Sequence, residues 1–105
     1  MSIEFDMSKL ITADAKATEA KALRASAIKG ECATRITEIL DGNTMTNLQS
    51  AAIVGLLSSE EMDLFRSAQL WISTMLTSAR TAIAEGGEPI WPESPDGLAA
   101  LVAKF

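Results

Sequence analysis

Apolar residues along this chain recur at helical steps in several stretches and alternate only once, near the N-terminus. Between residues 12 and 40 there is no proline and a single glycine, Gly30, while Leu23, Ala27, Ile28, Cys32, Ile36, Ile39 and Leu40 fall on one helical face. The spacing predicts a long amphipathic helix. Thr12 can cap its start, Glu31 and Arg35 form a favourably oriented i,i+4 pair, and Gly42 lies where a left-handed C-terminal residue is wanted. The first half of this helix holds Ala13, Ala15, Ala17, Ala20 and Ala22, which favour helix but bring little bulk to bury. That half is expected to project, or to pack closely on something else. Ahead of it Ile3, Phe5 and Met7 alternate, so residues 1–11 read as an N-terminal tail or a docked arm.

A polar linker over 41–45 precedes Thr46 and Gln49, whose spacing is that of a capping box ahead of Leu48, Ala51, Ala52 and Leu56. A short second helix is expected there. Ser58 and Glu61 repeat the spacing, and Glu60 and Asp63 place negative charge where the helix dipole favours it. The third helix then carries Leu64, Ala68, Trp71, Ile72, Met75, Ala79 and Ile83 as one buried stripe and stops at Gly86 and Gly87. Over 88–97, Pro89, Pro92 and Pro95 restrict the backbone to extended or turn geometry. Ser94 can cap a last helix with Pro95 at its first position, and Leu98, Leu101, Val102 and Phe105 share a face. The expected architecture is all-α: a bundle of three to four helices with an extended Pro/Trp segment and a short C-terminal helix, residues 12–105 forming one domain.

Charge and composition narrow the function. A chain of 105 residues has room for one small core and no second substrate domain. Its net charge is -5, and since residues 1–40 balance six bases against six acids, all of that excess lies beyond them. Such a surface speaks against binding nucleic acid through phosphate contacts. There is no His and one Cys, so imidazole bases, imidazole metal ligands and an internal disulfide are excluded.

The remaining candidates for chemistry have plainer explanations. Glu60, Glu61 and Asp63 belong to a helix start, Asp41-Gly42-Asn43 to a turn, Cys32 to an apolar face, and Gly86-Gly87 to a helix stop. No catalytic residues, cofactor or metal site are expected, and the chain reads as a non-enzyme. The longest apolar stretch, 51–57, is broken by Gly55, and Glu4 and Asp6 stand where a signal peptide's apolar run would begin. No membrane partner is expected, and the chain reads as cytosolic.

Trp71 lies in the middle of the third stripe and reads as core. Trp91, flanked by Ile90 and Pro92, has no regular structure forcing it inward. Two readings stand: a lid folded back over the helices, or an aromatic and proline surface offered to a partner.

The run 48–95 supplies Leu48-Gln49, Ser58-Ser59-Glu60-Glu61, Leu64-Phe65, Trp71, Met75-Leu76 and Ile90-Trp91-Pro92-Glu93-Ser94-Pro95 in that order. It resembles the C-terminal module of bacteriophage tail fibre assembly proteins, small chaperones encoded beside tail fibres. In that family a Leu-Gln pair opens a short helix, a Ser/Thr and Glu-rich stretch starts the next, and the module closes on Ile, Trp-Pro and a further Pro. The chain departs from the pattern at Ala68, where the family usually has Trp, in lacking the Arg after the aromatic, in Ile90 standing directly before Trp91, and by continuing ten residues past Pro95. The resemblance implies a chaperone or tail accessory protein that binds the distal fibre or another phage structural protein through Ile90, Trp91, Pro92 and Pro95. It would act in the cytoplasm of the bacterial host, with retention on the virion and homo-oligomerisation left open. Two alternatives stand beside it: a helical structural subunit using the Ala-rich stretch as a packing surface, and an acidic inhibitor of a host protein.

Overall fold

The computed structural model describes the backbone of residues 2–105 and the side chains of residues 14–105. Four helices follow one another: α1 (Ser2–Ile39), α2 (Gly42–Ile53), α3 (Ser59–Glu85) and α4 (Leu98–Val102). The architecture is all-α, as the periodicity requires.

Helix α1 runs for 38 residues, about 57 Å at the usual rise. It begins at Ser2, so Thr12 is an interior residue and not a cap, and residues 2–11 are helical instead of extended. No Gly or Pro interrupts the chain before Gly30, so nothing in 2–11 breaks the helix once it has formed. Whether that stretch docks on anything turns on side chains outside the described residues.

Helix α3 packs antiparallel against α1, with Arg24 beside Ala82 at one end and Ile39 beside Trp71 at the other. Small residues on the facing surfaces, Cys32, Ala68, Ala79 and Ala82, let the two backbones approach closely, and α4 inserts Leu98 and Leu101 against the pair. Leu48 and Ala51 of α2 complete the core. Because α3 ends at Glu85, opposite Arg24, only Lys21 and Ala22 of the stretch 14–23 come beside α3 among the described residues, and all of 14–23 are exposed. The Ala-rich half therefore projects. Leu23, 65% exposed, and Ala27 fall outside the core face on which the spacing had placed them. The radius of gyration is 20.7 Å, against about 13 Å for a compact chain of this length.

The turns differ from expectation in their details. Between α1 and α2 the cap is Asp41, whose carboxylate accepts the Thr44 amide at 2.8 Å, and Gly42 opens α2 instead of closing α1. Asp41 itself turns the chain in extended geometry, so a left-handed glycine is not needed there. Thr46, expected to cap α2, is inside it and returns its hydroxyl to the Gly42 carbonyl. Helix α2 ends in a Schellman arrangement: Gly55 is left-handed at φ 77°, and the Leu56 amide donates to the Ala51 carbonyl at 2.9 Å. Leu56 is thus beyond the helix and 72% exposed, not on its buried face.

Helix α3 starts as expected, with the Ser58 hydroxyl accepting the Glu61 amide and the Glu61 carboxylate accepting the Ser58 amide. It ends at a left-handed Gly86. The buried stripe is rotated slightly from the predicted one: Phe65 and Ala82 are buried, whereas Leu64, Ile72 and Ile83 lie at its margin. Helix α4 starts at Leu98 after a left-handed Gly97, with no side-chain cap, so Ser94 and Pro95 belong to the preceding turn. The prolines hold that stretch in turn geometry past the expected start.

Candidate partner-binding site

Residues 88–97 have no regular secondary structure, yet hydrogen bonds tie them down along their length. Arg24 of α1 donates to the Ala82 carbonyl at 3.1 Å and to the Gly87 carbonyl, binding the root of the segment while its cation faces the negative end of the α3 dipole. The indole N–H of Trp71, on α3, donates to the Pro92 carbonyl at 3.0 Å. The indole N–H of Trp91 donates to Glu31 Oε1 on α1 at 3.2 Å. At the far end the Leu98 amide donates to the Pro95 carbonyl at 3.3 Å.

The four residues singled out from sequence do not form one surface. In an extended segment neighbouring side chains point to opposite sides. Trp91 accordingly lies against α1, half-buried, with the Arg35 guanidinium 5.4 Å from its ring centroid. Ile90 turns the other way, 82% exposed, into a shallow groove of about 250 Å³ beside Thr74, Thr77 and Thr81 of α3. Pro92 joins Trp91, and Pro95 is half-buried in the turn before α4. Trp91 is therefore a partial lid that keeps an accessible face.

Beneath Trp91 runs a larger groove of about 460 Å³. Its apolar lining is Ile39, Trp71, Met75, Trp91 and Pro92, and its polar lining is Arg35, Glu38, Glu93, Ser94 and Asp96. Arg35 is already engaged, by Glu31 at 3.1 Å and by the Trp91 ring. Glu38, Glu93 and Asp96 make no ion pair or side-chain hydrogen bond among the described residues. The groove is acidic at its rim.

The other candidates have structural roles. Cys32 is buried, and burial pushes its thiol up, away from the thiolate form a nucleophile needs. The amide of Ser58 and the Lys104 ammonium, 3.1 Å away, hold the Glu61 carboxyl below its ordinary range. The Thr44 amide does the same for Asp41. Among the described residues no group of three or more Cys, Asp or Glu is placed to hold a metal ion. No helix among them is long and apolar enough to cross a membrane.

Sequence reasoning missed Arg24, Glu31 and Glu38 as parts of this site. Glu31 and Arg35 carry a local signal only as a helical pair; the Trp91 bond to Glu31 spans 60 residues and leaves no trace in spacing. A comparison with protein-family models, curated proteins and solved structures finds no match for this chain.

Proposed function

We propose that this chain is a non-enzymatic assembly protein of a phage tail fibre, binding the distal fibre and assisting its folding or trimerisation. The resemblance of residues 48–95 to tail fibre assembly proteins supports the reading. The observation that carries it is the placement of Ile90, Trp91 and Pro92, an apolar tripeptide tied down through Trp71 and Glu31 but open at Ile90. A segment ordered before it meets its partner loses less conformational freedom on binding, so more of the contact energy appears as affinity. On this reading the protein acts in the bacterial host cytoplasm, before or during virion assembly, and uses no cofactor, metal or nucleic acid.

Co-expression with the adjacent fibre protein tests the proposal. Pull-downs of the parent, of Ile90→Ala and of the triple variant Ile90→Ala/Trp91→Ala/Pro92→Ala are compared beside thermal melts. An interface residue of this kind contributes more than ~1 kcal/mol, so Ile90→Ala is expected to weaken capture about fivefold with an unchanged melt. Capture by folded triple variant equal to that of the parent rejects the role.

A second reading, a helical structural subunit of a virion or other assembly, draws on the exposed stretch 14–23 of α1. In proteins most helical stability comes from packing of a face, which this stretch lacks among the described residues, and a neighbouring copy would supply it. A stable homo-oligomer measured by light scattering at micromolar concentration would favour it.

A further inference from the structure

The geometry points to the groove under Trp91 as the seat of an arginine-bearing segment of the partner protein. This deepens the partner-binding reading and rests on it only for which protein carries the segment. Charge selects the occupant. Glu38 on one bank, from α1, and Glu93 and Asp96 on the other, from the return segment, are three carboxylates with no cation paired to them among the described residues. The one base lining the groove, Arg35, is neutralised by Glu31. Phosphates and acidic peptides are repelled from such a site, while a cation is drawn in.

The apolar lining refines the choice. Trp91 already holds one guanidinium, that of Arg35, against its ring. That contact is of the kind a planar guanidinium makes with an indole face and a compact ammonium makes less well. Carboxylates on both banks, with Trp91 and Pro92 between them, suit an extended chain whose basic side chains alternate with an apolar one. A volume of about 460 Å³ accommodates a few side chains, not a folded domain.

Calorimetric titration of the full chain tests this with three probes: a capped pentapeptide with two arginines flanking a leucine, the same peptide with glutamates in their place, and spermidine. The arginine peptide is expected to saturate the protein and the glutamate peptide to show no binding. Spermidine, lacking a planar guanidinium and the leucine side chain, is expected to bind more weakly. In the variant Glu38→Gln/Glu93→Gln/Asp96→Asn the arginine peptide should lose affinity on the order of tenfold, since three partly solvated charge contacts are removed together. The three side chains have no ion-pair or hydrogen-bond partner among the described residues, so its melting temperature should match the parent's; Glu38→Gln alone, with a smaller loss, serves if the triple variant does not fold.

Unchanged affinity in a folded variant, no saturable binding at millimolar peptide, or spermidine binding as tightly as the peptide overturns the proposal. Fibre capture separates it from the broader reading. If the parent captures fibre protein and the folded carboxylate variant captures it equally, the groove is not the seat although the assembly role stands. If the peptide binds as expected and no fibre is captured, the groove stands and the assembly role falls.

Discussion

Replacing Trp71 by Phe would separate two contributions that the fold combines in one side chain. Trp71 is 5% exposed at the middle of the α3 stripe, and its N–H is the bond that holds Pro92. Phe keeps the ring in the core and removes the donor. Losing a hydrogen bond of this type costs about 1 kcal/mol, and the space left by the smaller ring about 1 kcal/mol more, for a total near ~2 kcal/mol. For a chain of this length that corresponds to a fall in Tm of roughly 8 °C. Truncation to Ala removes the packing as well and is expected to cost about 3 to 5 kcal/mol. The chain has two Trp, so in the Phe variant Trp91 is the sole indole and reports on the return segment directly. Its emission should shift to the red and its quenching by acrylamide should rise, because the neighbouring carbonyl is no longer anchored. A variant that melts within about a degree of the parent, with Trp91 emission unchanged, would refute the claim that the Trp71 bond holds the segment.

Three further outcomes follow from the same contacts. Trp91→Ala, which loses a half-buried ring and the Arg35 contact, should cost about 1 to 2 kcal/mol in urea unfolding, whereas Ile90→Ala should stay within about 0.5 kcal/mol of the parent. Arg24→Ala frees the Gly87 carbonyl of this donor, leaves the Ala82 carbonyl with the Gly86 amide alone, and is expected to lower stability by about 1 kcal/mol, with amide exchange rising first in the last turn of α3. Asp41 and Glu61 both have carboxyl groups held below their ordinary values, so their contribution is complete at neutral pH and is lost as the pH falls through those lowered values. Acid unfolding should therefore steepen below about pH 4, and Asp41→Asn, which keeps a capping oxygen without the titration, should flatten that loss.

What could be read in advance was whatever depends on neighbours a few residues apart. The Ser58 and Glu61 capping box and the stop at Gly86 are local, and the spacing located both, while the buried face of α3 came out slightly rotated and α4 shorter than the spacing allowed. The boundaries that escaped were contests between two adequate signals. Asp41 and Thr46 are both good caps, and the earlier one won because its carboxylate reaches the Thr44 amide while Thr46 finds a carbonyl within the helix. Thr12 is likewise a competent cap to which nothing upstream ceded the helix. Of the binding site, Trp91 was legible as a residue without local reason to be buried. That Ile90 faces away from it, and that Glu31, Arg35 and Glu38 surround it, depends on how the segment after α3 folds back over α1, which no short-range pattern encodes.

The length of α1 relative to α3 divides one continuous helix into two thermodynamic regimes. From Ile28 to Leu40, opening an amide means exposing the core, so exchange there should report the global unfolding reaction. Across residues 14–23 an amide needs only a local fraying of a solvent-bathed rod, and its protection should fall by orders of magnitude within two turns of Arg24. Lys16 and Lys21 should accordingly be cut by trypsin from the folded protein at a rate set by fraying, while Lys29, one turn inside the packed region, is cut only after unfolding. Covalent continuity along this helix is not cooperative continuity, and the boundary between the two lies where Arg24 grips the end of α3.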